Sequence, residues 1–137
     1  MHYPVTITQD GSRYRVECRD LPKMHTAGDS LDDALSEARD AIETTLMLYI
    51  DEQRTIPMPS PKRADEYEVY ISSLATAKVL LWNAFKQQGI TKSELGKRIG
   101  IDLKGIEYLF DLMHHTKMER IDAAFEALGK RLEISCH

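Results

Sequence analysis

Apolar and polar residues alternate one by one at the start of the chain, then switch to a spacing of three and four. Residues 2–8, HYPVTIT, are β-branched and aromatic and read as a strand. Asp10-Gly11-Ser12 is a hairpin turn signal. In residues 13–19, Tyr14, Val16 and Cys18 point one way and Arg13, Arg15, Glu17 and Arg19 the other, as in a half-buried antiparallel strand. A short third strand is predicted around residues 24–27. Ser30 then opens a helix to about Asp51, with Leu31, Leu35, Ala38, Ile42, Leu46 and Tyr49 on one face and Asp33 three residues after the cap, a capping-box variant. Residues 56–61, IPMPSP, hold three prolines and form a stiff, extended connector. Residues 66–71, EYEVYI, alternate again and return a strand to the first sheet.

From Leu74 onward the spacing is helical. Ala75, Val79, Trp82 (or Leu81) and Phe85 form a stripe up to about Gln88, and Gly89 stops it. Residues 91–112 read as two short helices and a tight turn. Thr91 caps the first, and Glu94 completes a capping box. Leu95 and Ile99 share a face, and Gly96 marks a crossing with no room for a side chain. Gly100 supplies the left-handed end and Ile101 an inward plug. Asp102 caps a second helix whose apolar positions are Leu103, Ile106, Leu109 and Phe110. Residues 114–116 form a loop, and 118–128 another helix with Ile121, Ala124, Phe125 and Leu128 inward, closed by Gly129. Residues 131–136, RLEISC, alternate as a terminal strand would. The expected fold class is α+β: a βββαβ domain at 1–71, followed by a small all-helical domain at 72–137.

Helix, Gly turn and capped helix at these offsets is the pattern of a DNA-binding helix-turn-helix. The start of its second helix, with Asp102 and Gly105, is the part that enters the major groove. Lys104 is placed to donate to guanine, Glu107 to accept from cytosine N4, and Tyr108 to touch a phosphate or a thymine methyl. Lys92 and Ser93, beside the amides of the first helix, suit phosphate, and His115, Thr116 and Lys117 suit a second phosphate.

The formal net charge of −4 over 137 residues is unexpected for that role until it is divided. Residues 1–70 hold 8 Lys and Arg against 14 Asp and Glu, a balance of −6; residues 71–137 hold 10 against 8, a balance of +2. The mildly basic second half suits phosphate, and the acidic first half suits a basic partner or simply a solvated surface. No apolar run reaches membrane-spanning length and no signal peptide is visible, so a cytoplasmic protein with Cys18 and Cys136 reduced is expected.

Other chemistries fare worse. Two-magnesium nuclease chemistry needs converging carboxylates, and Asp20, Asp29, Asp32 and Asp33 are the only candidates; Asp33 reads as a cap and Asp32 as outward. His114 and His115 diverge, His2 and His25 lack partners, and no Cys or His cluster has ligand spacing, so neither a metal nor a cofactor is expected. Cys18 reads as an inert core thiol. A regulator whose first domain senses a small ligand is the alternative, but no Gly-rich loop or clustered polar set marks its pocket. Met24 and His25, near an edge strand or loop, are expected to face a partner.

The order and spacing of YPVTIT, DSLDDALSEARDAI, IPMPSP, AKVLLWNAF, GITKSELGKRIG, LFDLMHHTKMERID and ALGKRLEIS resemble the HicB antitoxins of bacterial type II toxin–antitoxin systems. Within them the resemblance is to the subset with a helix-turn-helix rather than a ribbon-helix-helix. The similarity spans essentially the whole chain. It implies a partial ribonuclease-H-like fold for the first domain. It also implies a partner, HicA, a small basic ribonuclease, with Met24 and His25 as candidate toxin contacts. Repression of its own operon is implied as well, and a homodimer or higher oligomer would bind a symmetric operator. The second-helix residues Leu103, Lys104, Gly105, Glu107 and Tyr108 depart from better-known members, which leaves the operator sequence open.

Overall fold

A computed structural model describes residues 1–137. The chain is α+β, in the order β1 (His2–Asp10), β2 (Arg13–Glu17), β3 (His25–Gly28), α1 (Leu31–Asp51), β4 (Tyr67–Tyr70), α2 (Ser73–Gln88), α3 (Lys92–Ile99), α4 (Leu103–Phe110) and α5 (Met118–Ala127). It divides into two compact units, Met1–Glu52 with Ile56–Ser72, and Gln53–Thr55 with Ser73–His137. No helix is long and apolar enough to cross a membrane.

The first unit is an antiparallel sheet in the order β3-β2-β1-β4 with α1 laid across it. β1 serves two neighbours. Its first half, with Tyr3 opposite Val69, pairs with β4, and its second half, with Ile7 opposite Val16, pairs with β2. Gly11 turns the hairpin with a positive φ of 63°. The core joins Tyr3, Val5, Val16 and Cys18 of the sheet side to Ala34, Ala38, Ile42 and Leu46 of α1. Helix and sheet meet closely at Gly28, where an added Cβ would lie 2.3 Å from the Ala34 amide nitrogen. Ser30 accepts from the Asp33 amide, and the Asp33 carboxylate accepts from the Asp29 amide, so the helix start is held from both sides. Leu31, expected on the buried stripe, is exposed on that open first turn.

The proline-rich connector is tied down. Tyr3 donates its hydroxyl to the Pro57 carbonyl at 2.6 Å. Asp20 accepts from the Ser60 amide and hydroxyl. The Arg19 guanidinium forks onto Glu66 at 2.8 and 3.0 Å and reaches the Pro61 carbonyl. Glu66, expected in the last strand, instead lies just ahead of β4 and also accepts from the Arg63 amide.

The second unit is helical. Trp82, Phe85 and Phe110 pack with ring centroids 5.0–5.6 Å apart, and Leu95, Ile106, Leu109 and Ile121 complete the core. The Trp82 indole donates to the Arg54 carbonyl, which draws Gln53–Thr55 into this unit. Two expectations are corrected. Residues 131–136 form no strand, because their own unit contains no strand to supply a ladder; Ile134 is 81% exposed. Leu103 is 55% exposed, since the buried stripe of α4 begins only at Ile106.

Candidate functional site

The joint between α3 and α4 is built by main-chain constraints. Thr91 accepts from the Glu94 amide, while the Glu94 carboxylate turns to Arg98 at 3.3 Å, so the capping box is half made. Gly100 ends α3 in the left-handed region, at φ 73° and ψ 34°. The chain then folds back until the Ile101 amide donates to the Gly96 carbonyl. A Cβ on Gly96 would stand 2.6 Å from the Ile101 oxygen, so only glycine permits the approach. Asp102 starts α4 by accepting from the Gly105 amide at 2.8 Å.

These constraints bring most of the expected residues into two neighbouring concavities. Lys92, Ser93 and Asp102 line a shallow groove of about 440 Å³ together with Lys97 and Leu103. Gly105, Tyr108, His115 and Lys117 line a second hollow of about 540 Å³, with Thr116 and Arg120. Between them α4 exposes a ladder: the Lys104 ammonium sits 5.8 Å from the Tyr108 ring, and that ring stacks on His114 at 4.2 Å and 17°. Lys97 and Arg120 were not singled out from the sequence. Arg120 follows Lys117 by three residues and Lys97 follows Ser93 by four, so helical spacing points to both.

Three expected contact residues are engaged elsewhere. Glu107 accepts from the Lys92 ammonium at 2.8 Å, so the residue expected to read cytosine and one expected to hold phosphate neutralise each other. The Asp102 carboxylate serves its cap. The Thr116 hydroxyl, by contrast, is buried beside the second hollow with no hydrogen-bond partner. α5 begins next to it at Lys117 without a side-chain cap.

In the first unit, His25 is exposed and lines a hollow of about 380 Å³ with Glu17, Arg19, Arg63 and Asp65. Met24, expected to face a partner, is only 1% exposed. Its side chain turns into the core where the Met24 amide closes a turn onto the Leu21 carbonyl, so it presents little to any partner. The Arg19 fork and the Arg63 amide hold the Glu66 carboxyl down to about 2. Burial pushes the Cys18 thiol up, away from the thiolate a nucleophile needs. Asp20 and Asp33, two of the conceivable metal carboxylates, are occupied by Ser60 and Asp29. The second unit thus offers cations, hydroxyls and helix starts to an anionic surface, and neither unit assembles a nucleophile with its base.

A sequence profile for a HicB_like antitoxin of bacterial toxin-antitoxin system matches residues 2–80. The chain belongs to the HicB-like antitoxin family. It is 38% identical to Antitoxin HicB of Escherichia coli (strain K12) over 98% of both chains. It is 34% identical to Antitoxin HicB of Pseudomonas fluorescens (strain Pf0-1), over 97% of this chain and 92% of the relative. Antitoxin HicB 1 of Photorhabdus laumondii is 35% identical over 98% of this chain and 86% of its own length. As a HicB-like protein the chain is an antitoxin of a toxin–antitoxin system, not an enzyme.

Proposed function

We propose that this HicB-like chain neutralises a small basic ribonuclease of the HicA type by binding it, and represses its own operon through a helix-turn-helix formed by α3 and α4. In this reading residues 1–71 are a partial ribonuclease-H-like βββαβ domain that occludes the toxin, and residues 72–137 are the DNA-binding domain. The observation that carries the DNA half is the joint between α3 and α4. The Gly96–Ile101 contact, the left-handed Gly100 and the Asp102 cap leave Lys104 and Tyr108 exposed on the outer side of α4. α4 then enters the major groove with Lys104 at a base edge and Tyr108 beside it. Ser93 and Lys97 meet one backbone, and His115, Lys117 and Arg120 the other. A dimer would span half-sites about 34 Å apart.

For the toxin half, support comes from charge: a −6 balance over residues 1–70 complements a basic ribonuclease. The exposed face of the sheet and His25 are the contacts expected.

A mobility shift of the full chain on the DNA upstream of its own gene tests the first half. Retardation that weakens with salt and with Lys104→Ala or Tyr108→Ala is the expected result. An unshifted promoter at low salt would sink it. Co-expression with the neighbouring small basic reading frame tests the second: that frame should arrest growth alone and be silenced by this chain.

A further inference from the structure

Lys78 is a charged residue in the middle of α2, and its side chain is fully buried. Its ammonium donates to three main-chain carbonyls, those of Asp111 and His114 at 2.7 Å and of Tyr108 at 3.0 Å. Three N–H donors meet three acceptors, and all three acceptors belong to one structural problem. Tyr108 is in the last turn of α4, Asp111 is its C-terminal cap, and His114 lies in the loop leading to α5. A helix ends with carbonyls that its own backbone cannot satisfy, and the negative end of its dipole favours a cation there. Loops that change direction inside a packed helical unit leave the same deficit. Lys78 meets both needs from beneath, on the opposite side from the ladder of Lys104, Tyr108 and His114.

We propose that Lys78 is a positioning residue for the nucleic-acid face: by holding these three carbonyls it fixes the end of α4 and the following loop, so that Tyr108, His114 and the start of α5 present one surface. The inference rests on the DNA reading above. A charge so deeply buried is costly, and an aliphatic side chain would pack there without that penalty, but it would leave three carbonyls unpaired. The count of donors matters. The neutral amine has two N–H groups and would turn a lone pair toward the third oxygen, so only the ammonium closes the set. Burial pushes this amine down to about 8, with the Asp111 charge pulling the other way. The other ionisable groups at the site are Tyr108 and His114, whose carbonyls it binds. The charged residues of α5, Glu119, Arg120, Asp122 and Glu126, are exposed, and Lys86 of α2 lies two turns further on.

The test uses the full chain and Lys78→Met, with Lys78→Arg as the variant that keeps the charge. Hydrogen exchange is read first, without DNA. In Lys78→Met, amides of residues 109–117 should exchange about tenfold faster or more, with those of α2, α3 and α5 little changed. Promoter affinity is then measured from pH 7.5 to 9.5. Wild type should weaken as Lys78 loses its proton, whereas Lys78→Met should be about tenfold weaker at pH 7.5 and lack that step. Lys78→Arg should recover part of the loss. Unchanged exchange at 109–117, or exchange accelerated evenly across the whole unit, overturns the positioning role. Wild type that fails to bind promoter DNA overturns the reading beneath it, whatever the exchange shows.

Discussion

The two units each bury a charged side chain, and they satisfy it in opposite ways. In the first, Glu66 is met by an opposite charge from Arg19, 47 positions away, and the pair ties the proline-rich connector to the sheet. In the second, Lys78 is met by neutral carbonyls and closes a helix end. The Glu66 pair is a long-range clasp whose partners keep each other ionised. Lys78 has no comparable counter-charge among its hydrogen-bond partners, and its environment works against its ionisation. Buried charge therefore says little by itself; what it holds depends on whether its partners are charges or orphaned backbone groups.

The largest expected effects come from the close contact that each unit makes at a glycine. Gly28→Ala would drive a Cβ to 2.3 Å from the Ala34 backbone, and Gly96→Ala to 2.6 Å from the Ile101 oxygen. Backbone cannot yield as a side-chain tip does, so each should cost about 3 kcal/mol or more. The probes differ by unit. Trp82 is the only tryptophan, so its fluorescence melt reports Gly96→Ala, while hydrogen exchange of β1 and β2 reports Gly28→Ala. If either variant melts as wild type does, that contact is softer than its geometry implies.

Next in size is Lys78→Met, expected to loosen residues 109–117 locally by about 1.4 kcal/mol at pH 7, the equivalent of about tenfold faster exchange, while relief of the buried charge offsets the lost hydrogen bonds for the unit as a whole. The two buried charges should also separate by pH. Glu66 has a folded value near 2 against an ordinary 4.5, so its stabilisation is complete above pH 4.5 and is lost as pH falls from there through about 2. Glu66→Gln should flatten that acid limb. Lys78 runs the other way: its folded value of about 8 lies below 10.5, so the charge imposes its full penalty below pH 8. That penalty is relieved as pH rises from 8 toward 10.5. Urea titrations of wild type against Lys78→Met over that range should show wild type gaining relative stability even as its 109–117 loop loosens. A shared alkaline slope would remove Lys78 as its source.

Much of this was legible in the chain. The period-two and period-three-to-four patterns locate the strands and helices, because a half-buried element writes its burial into its spacing. Ser30, Thr91, Gly100 and Asp102 could be read because caps and left-handed ends demand particular residue types. Gly96 could be read because a crossing needs a missing side chain. Lys78 could not: it interrupts the apolar run of α2, and a lysine there reads as a solvated edge until the chain returns 30 positions later. The Arg19–Glu66 clasp and the Lys92–Glu107 pair were hidden for the same reason, since partners far apart in sequence leave no periodic trace. The burial of Met24 could not be read either, because a short loop residue beside an edge strand can turn either way, and only the packing around Leu21 decides it.

The smallest expected effect concerns a surface charge and bears on how the second unit meets phosphate. Lys92 keeps only 22% of its side chain exposed, and its ammonium lies 2.8 Å from Glu107. Glu107 is the more exposed of the two, at 62%, so solvent screens the pair and its loss should leave the Trp82 melt almost unmoved. Near DNA the same carboxylate repels the backbone and holds a cation that could otherwise contact it. Glu107→Gln removes a negative charge and frees Lys92, so promoter affinity should rise about threefold at low salt, with a steeper salt dependence. The gain should fall on unrelated DNA as well, because a freed lysine at a phosphate carries no sequence information. If Glu107→Gln instead weakens promoter binding while sparing unrelated DNA, then Glu107 leaves Lys92 to read a base edge, and the pair seen in the free protein is a resting arrangement.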